Sequence, residues 1–172
     1  SQSAADLIAV REAGLARRAP HVDAATRSRV ARMEVELGQV FDYLLANSDR
    51  RARNLIVDTE NGTFALIDNA SIGHGTMFSR KTPTLPTLKP LIQGAGGHTQ
   101  LSTDTVAWLR EHLDEPALRA WHAEHVDAIG GSADDFVARL NHVLEHGSFD
   151  YQDSAKLMDL QRNTVSMKSF HR

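Results

Sequence analysis

Cysteine is missing from all 172 residues. That excludes a disulfide framework and any zinc site built on thiolates. It also fits a reducing compartment, so we expect a cytoplasmic protein or a delivered effector. No apolar run approaches the roughly 18 residues that a bilayer crossing needs, and no membrane span is expected. The first residues lack the charged-then-apolar pattern of a signal peptide. An excess of one charge is missing too. Nineteen Lys and Arg stand against 22 Asp and Glu, for a formal net charge of −3. There is thus no electrostatic case for a nucleic-acid partner or an anionic membrane surface. Repeats and low-complexity linkers are also absent. What remains is ordinary for a globular chain: 41 % hydrophobic and 24 % charged residues, enough for a proper core. The length predicts a single domain over residues 1–172. Ser1 stands where an initiator Met would, so we expect a processed product or a piece of something larger.

Helical periodicity dominates. Ser3 to Arg18 is Ala-rich, with Leu7, Val10 and Leu15 apolar, basic residues in its last turn and Pro20 to stop it. Asp23 suits the N-cap of a second helix. There Val30, Met33, Leu37, Val40, Phe41, Leu44 and Leu45 recur at helical spacing, to about Leu45. Asn54–Asp58 and Thr63–Asp68 alternate like strands around Glu60-Asn61-Gly62, a strong hairpin signal because Asn-Gly tolerates positive φ. Ala70–Lys81 reads as a loop, and Pro83, Pro86 and Pro90 keep the next stretch irregular. Helices return at Thr103–Leu113, Glu115–Ile129 and Ser132–His146, with a last one from Tyr151 to about Gln161. The expected fold class is mainly α with one β-hairpin.

One constellation carries chemistry. Asp49 follows an apolar helix, Asn54 comes five positions later, and Asp68 ends the second strand. Phosphoryl transfer needs little more from a protein: a carboxylate to orient the acceptor hydroxyl, and an Asn and an Asp to hold Mg²⁺ against phosphates. Mg²⁺ takes hard oxygen ligands and keeps several waters, so one carboxylate and one amide suffice. A short hairpin is a direct way to return the second carboxylate to the first two.

These residues resemble a known family. Asn47-Ser-Asp49-Arg50-Arg51-Ala-Arg-Asn54, followed by Leu66-Ile67-Asp68-Asn69, is similar to the catalytic and metal-binding segments of atypical kinases. The relatives are phosphoinositide lipid kinases, HipA-type toxin kinases and the secretory-pathway casein kinases. Phe41-Asp-Tyr-Leu-Leu resembles a segment of the last group, as does, more loosely, Leu85-Pro-Thr-Leu-Lys-Pro-Leu91. The resemblance covers about residues 35–91, and weakly the helices at about 103–161. It implies a protein-kinase-like C-lobe using ATP and Mg²⁺, with Asp49 catalytic and Asn54 and Asp68 as metal and nucleotide ligands. The acceptor would bear a hydroxyl on a protein, lipid or small molecule. Two departures are plain. Arg51 stands where the family usually has His, and an N-lobe is not evident: no Gly-rich loop or strand Lys precedes Asn54. The resemblance then implies a partner or a further segment that supplies that lobe, or else a non-catalytic, pseudokinase-like binding or regulatory module.

Other patterns read as structure. Arg50, Arg51 and Arg53 could bind phosphate or form a solvated cluster paired with acids. His142-Val-Leu-Glu145-His146 matches an inverted zinc-protease pattern but lacks a third ligand downstream. His122 and His125 read as surface or capping residues, and Trp108 and Trp121 as core anchors. Gly94-Ala-Gly-Gly97 lacks the Gly-Lys-Ser/Thr ending of a phosphate loop.

Overall fold

The computed structural model describes residues 4–45, 54–67 and 98–150. Asp49, Asp68, the Arg50–Arg53 cluster, the Pro-containing stretch, Gly94–Gly97 and the expected helix after Tyr151 lie outside them. Among the described residues the protein is mainly helical: α1 (Ala4–Arg18), α2 (Ala24–Leu44), α3 (Thr103–His112), α4 (Glu115–His125) and α5 (Ala133–His146). Strands β1 (Leu55–Asp58) and β2 (Thr63–Leu66) form the expected antiparallel hairpin, with Leu55 opposite Leu66 and Val57 opposite Phe64. No described helix is long and apolar enough to cross a membrane.

A second sheet was not legible in the sequence. β3 (His98–Gln100) pairs antiparallel with β4 (Ser148–Asp150), about which no hairpin signal speaks because the partners are far apart in the chain. Gly147 makes this possible. It ends α5 with φ 63°, a left-handed cap that glycine adopts without a Cβ penalty, and turns the chain straight into β4.

The helix starts follow local chemistry. Asp23 accepts from the Thr26 N–H (2.9 Å) and hydroxyl (2.7 Å), Asp114 from the Ala117 N–H (2.8 Å), and Ser132 from the Asp135 N–H (3.2 Å). Each satisfies a donor that the first helical turn leaves unpaired. α3 uses more. Its cap residue, Ser102, donates its N–H to the buried carboxylate of Glu36 on α2 (2.7 Å), and Arg29 grips Asp104 in the first turn through two bonds of 2.8 and 2.9 Å. α2 is thereby tied to the positive end of α3, where a carboxylate is favoured.

Two apolar clusters result. The larger joins the end of α2 (Val40, Tyr43, Leu44) to α3, α4, α5 and β4, with Phe136, Leu140 and Phe149 fully buried. Trp108 and Trp121 pack against it, as expected, and each stacks on a His one turn later, His112 and His125, whose Nδ1 lies 3.0 and 2.8 Å from the Trp carbonyl. His122 departs from its surface reading: its ring meets Phe136 edge-on, and its Nε2 is buried. The smaller cluster is Ala4, Leu7, Val35 and Leu55, with Ile8, Val57, Phe64 and Leu66 against it. It seats the inner face of the hairpin on α1 and α2.

Three carboxylates at the surface, Asp23 exposed and Asp58 and Asp104 half-buried, give the fold a pH dependence. Asp58 is held below the usual carboxylate range by the Asn61 side-chain amide and then by its N–H; Asp23 by the Thr26 N–H; Asp104 by the Arg29 guanidinium. A depressed folded pKa contributes stability above the unfolded value of about 3.9, and that contribution is lost as pH falls through the folded value. The melting temperature is therefore expected to decline as pH drops below about 4, and the Asp58→Asn, Asp104→Asn double variant to decline less steeply. Parallel slopes in thermal melts of the two proteins would remove these carboxylates from the explanation.

Candidate functional site

The end of the hairpin opposite its turn is where the sequence reading expects metal ligands. α2 ends at Leu44, and β1 begins at Leu55. The departure point is firm. Tyr43 is 2 % exposed and stacks on Phe149 at 4.8 Å with 26° between rings, so the last turn of α2 is clamped by β4. Arg139 of α5, fully buried, lies near Tyr43; burial pushes its guanidinium pKa down, opposed by Tyr43 and Asp135.

The return point is Asn54. Its backbone carbonyl accepts the Ile67 N–H at 2.9 Å, which carries the hairpin ladder one rung past Leu55–Leu66. Position 54 therefore stands across from Ile67, the residue that precedes Asp68 in the chain. Asn54 is 3 % exposed and is engaged with its surroundings. Strand pairing and the packing of Leu55 draw it inward. Asp49 and Asp68 lie outside the described residues.

The outer face of the hairpin adds something that period-two alternation alone did not. Leu55, Val57, Phe64 and Leu66 point at α1 and α2, which leaves Ile56, Ala65 and Ile67 on the opposite side. Ile56 is 54 % and Ile67 38 % exposed. Among the described residues only one other large apolar side chain, Val126, is exposed in this way. Two such residues beside Asn54 form an apolar platform on the outer face of the hairpin.

The turn is fixed on α1. Gly62, at φ 66°, abuts Gly14 so closely that a Cβ on Gly14 would stand 2.5 Å from the Gly62 carbonyl oxygen. Arg11 donates to that same oxygen (3.2 Å) while gripping Glu34 of α2, and Arg17 donates to the Glu60 carbonyl (2.7 Å). Asp58 closes the turn internally, accepting from the Asn61 N–H (2.9 Å) and side-chain amide (2.7 Å).

Several polar residues escaped the sequence reading. Glu36, Gln39, Asp42 and Arg139 are all buried. Their signal was present: each sits at helical spacing within an apolar stripe, Glu36 four before Val40 and Arg139 three after Phe136. A separate open cavity of about 320 Å³ lies between α2 and α3, lined by Val30, Met33, Ala107 and Trp108 and crossed by the Arg29–Asp104 pair. It includes no residue of the hairpin. The rings of His142 and His146 lie 4.5 Å apart, tilted by 44°, but among the described residues no group of three His, Cys, Asp or Glu is disposed to hold a metal. Set against protein-family models, curated proteins and solved structures, the chain matches none of them.

Proposed function

We propose that the protein is an atypical kinase or the C-lobe of one, performing ATP- and Mg²⁺-dependent phosphoryl transfer. Asp49 orients the acceptor hydroxyl, and Asn54 and Asp68 hold Mg²⁺ on the nucleotide phosphates. The observation that carries this reading is the hairpin end: the Asn54 carbonyl bonded to the Ile67 N–H, with Ile56 and Ile67 exposed alongside. A nucleotide asks for both kinds of surface, an apolar one for its flat base and hard oxygen donors for the metal on its phosphates. The donor set fits Mg²⁺, since an amide oxygen and a carboxylate are the ligand types it accepts. The metal would neutralise charge on the phosphates; the chain's own groups would position them.

One observation favours the second reading, a pseudokinase-like module that binds without catalysis. Asn54 is buried and already engaged, so it serves the fold as well as any ligand.

Without an N-lobe the nucleotide keeps only part of its contact surface. Mg-ATP is expected to bind the 172-residue chain weakly, with a Kd on the order of 1 mM. Ile56→Ser should weaken it several-fold, by removing apolar area that the base would cover, and leave melting unchanged because Ile56 is exposed. Calorimetric titration of both proteins with Mg-ATP decides this. Equal affinities would remove the platform from the site, and no heat in the millimolar range would remove nucleotide binding by this chain.

A further inference from the structure

α1 does more than complete the core. A hairpin of two four-residue strands is marginal by itself, so its placement is set by whatever grips it. The inner face is gripped by apolar contact, which resists lifting but resists sliding poorly. The turn is gripped by directed bonds. Arg11 spreads its planar fork over two elements at once: Nε and Nη2 on Glu34 of α2, Nη1 on the Gly62 carbonyl. Arg17 adds the Glu60 carbonyl, and the Gly14–Gly62 contact fixes how near the turn comes to the helix. The strand from Asp58 back to Asn54 is a lever of roughly 13 Å, so a shift at the turn reappears at its far end.

We propose that α1 is a latch on the hairpin turn and that Arg11 is a positioning residue for Asn54. This rests on the reading of Asn54 as a ligand to metal-bound nucleotide. Arg11 touches no substrate and acts through the hairpin. Its fork is the requirement: Lys keeps the charge but cannot hold Glu34 and the Gly62 carbonyl in one plane.

The test uses the full 172-residue chain and its Arg11→Lys variant, with Arg17→Gln as a milder variant at an exposed side chain. Two quantities are measured. One is amide hydrogen exchange at Ile67, whose N–H bonds the Asn54 carbonyl, with Leu140 of α5 as reference for global opening. The other is the affinity for Mn-ATP from water-proton relaxation. Arg11→Lys is expected to speed exchange at Ile67 about tenfold, as loss of a charged hydrogen bond would, with Leu140 unchanged. It should also weaken Mn-ATP several-fold. Arg17→Gln should do both to a smaller extent. Equal acceleration at Ile67 and Leu140 would make Arg11 a stabilising residue only and overturn the proposal. So would faster exchange at Ile67 with unchanged Mn-ATP affinity, or no change at Ile67. If the unaltered chain binds no Mn-ATP, the reading of Asn54 as a ligand fails, and selective exchange at Ile67 then supports the latch alone.

Discussion

Asp49→Asn is expected to lower phosphate transfer at least about a hundredfold, the lower end of what a positioned proton acceptor contributes. The substitution preserves the side chain's shape and removes the carboxylate that, in the proposed kinase reading, would take the acceptor's proton. Asp68→Ala should be as damaging for another reason, because in the same reading it would remove a charged metal ligand where nearly all catalysis is positioning and charge stabilisation. Asn54→Ala belongs to a different class now that Asn54 is known to be buried. It should lose transfer and also about 1–2 kcal/mol of stability, the usual consequence of removing a buried polar side chain that is engaged. Excess Mg²⁺ should partly rescue Asn54→Ala and leave Asp49→Asn inactive. Glu145→Gln is the control, since Glu145 is 77 % exposed and belongs only to the zinc-like His-x-x-Glu-His run. The measurement is radiolabelled phosphate transfer beside melting curves, on a form of the protein that supplies the nucleotide-gripping lobe. Undiminished transfer by both Asp49→Asn and Asp68→Ala would leave the kinase reading without support. Loss of transfer by Glu145→Gln would revive the metal reading of α5.

Gly62→Ala should remove about 3 kcal/mol of stability, a large share of what a domain of this size holds. Two effects add. An alanine at φ 66° adopts a left-handed conformation that opposes L side chains by about 1–2 kcal/mol. Its Cβ would also stand 2.2 Å from the Gly14 Cα and 2.5 Å from the Gly14 nitrogen, both backbone atoms that cannot rotate away. Overpacking of that kind adds about 1–3 kcal/mol. The partner position makes a sharper test. Replacing a mid-helix glycine by alanine normally stabilises by about 1 kcal/mol. At Gly14 the sign should reverse, because the new methyl meets the Gly62 carbonyl rather than solvent. Denaturant midpoints of the two variants check this. A Gly14→Ala protein more stable than its parent would mean that the turn does not rest on α1.

The buried carboxylate of Glu36 illustrates why some of this could not be read in advance. Its place in the apolar stripe of α2 and its i,i+4 partner Arg32 were visible, but two further partners, Ser102 and Thr105, lie 66 and 69 residues away. Nothing local announces such a bond. The same holds for Arg11, whose acceptor on the hairpin is 51 positions distant.

The sequence by itself determined the elements whose causes are local. Asp23, Asp114 and Ser132 cap helices through bonds three residues long, and Asn61-Gly62 supplies the positive φ that closes the hairpin. The apolar period of α5 named Phe136, Leu140 and Val143 of its buried face, whereas of the stripe read on α2 only Val40 and Leu44 are fully buried and Leu37, Phe41 and Leu45 pack at the core's edge. The order Asp49, Asn54, Asp68 is what suggested a phosphoryl-transfer site in the chain alone. Only the tertiary structure decided what depends on distant contact. It added the β3–β4 sheet, drew Asn54 inward, left Ile56 and Ile67 facing out, and set the hairpin turn against α1. The physical reason is the range of the forces concerned. Capping and turn preferences act within a few residues, whereas a strand's inner face, an ion pair between helices and the approach of two glycines exist only once separate segments have packed.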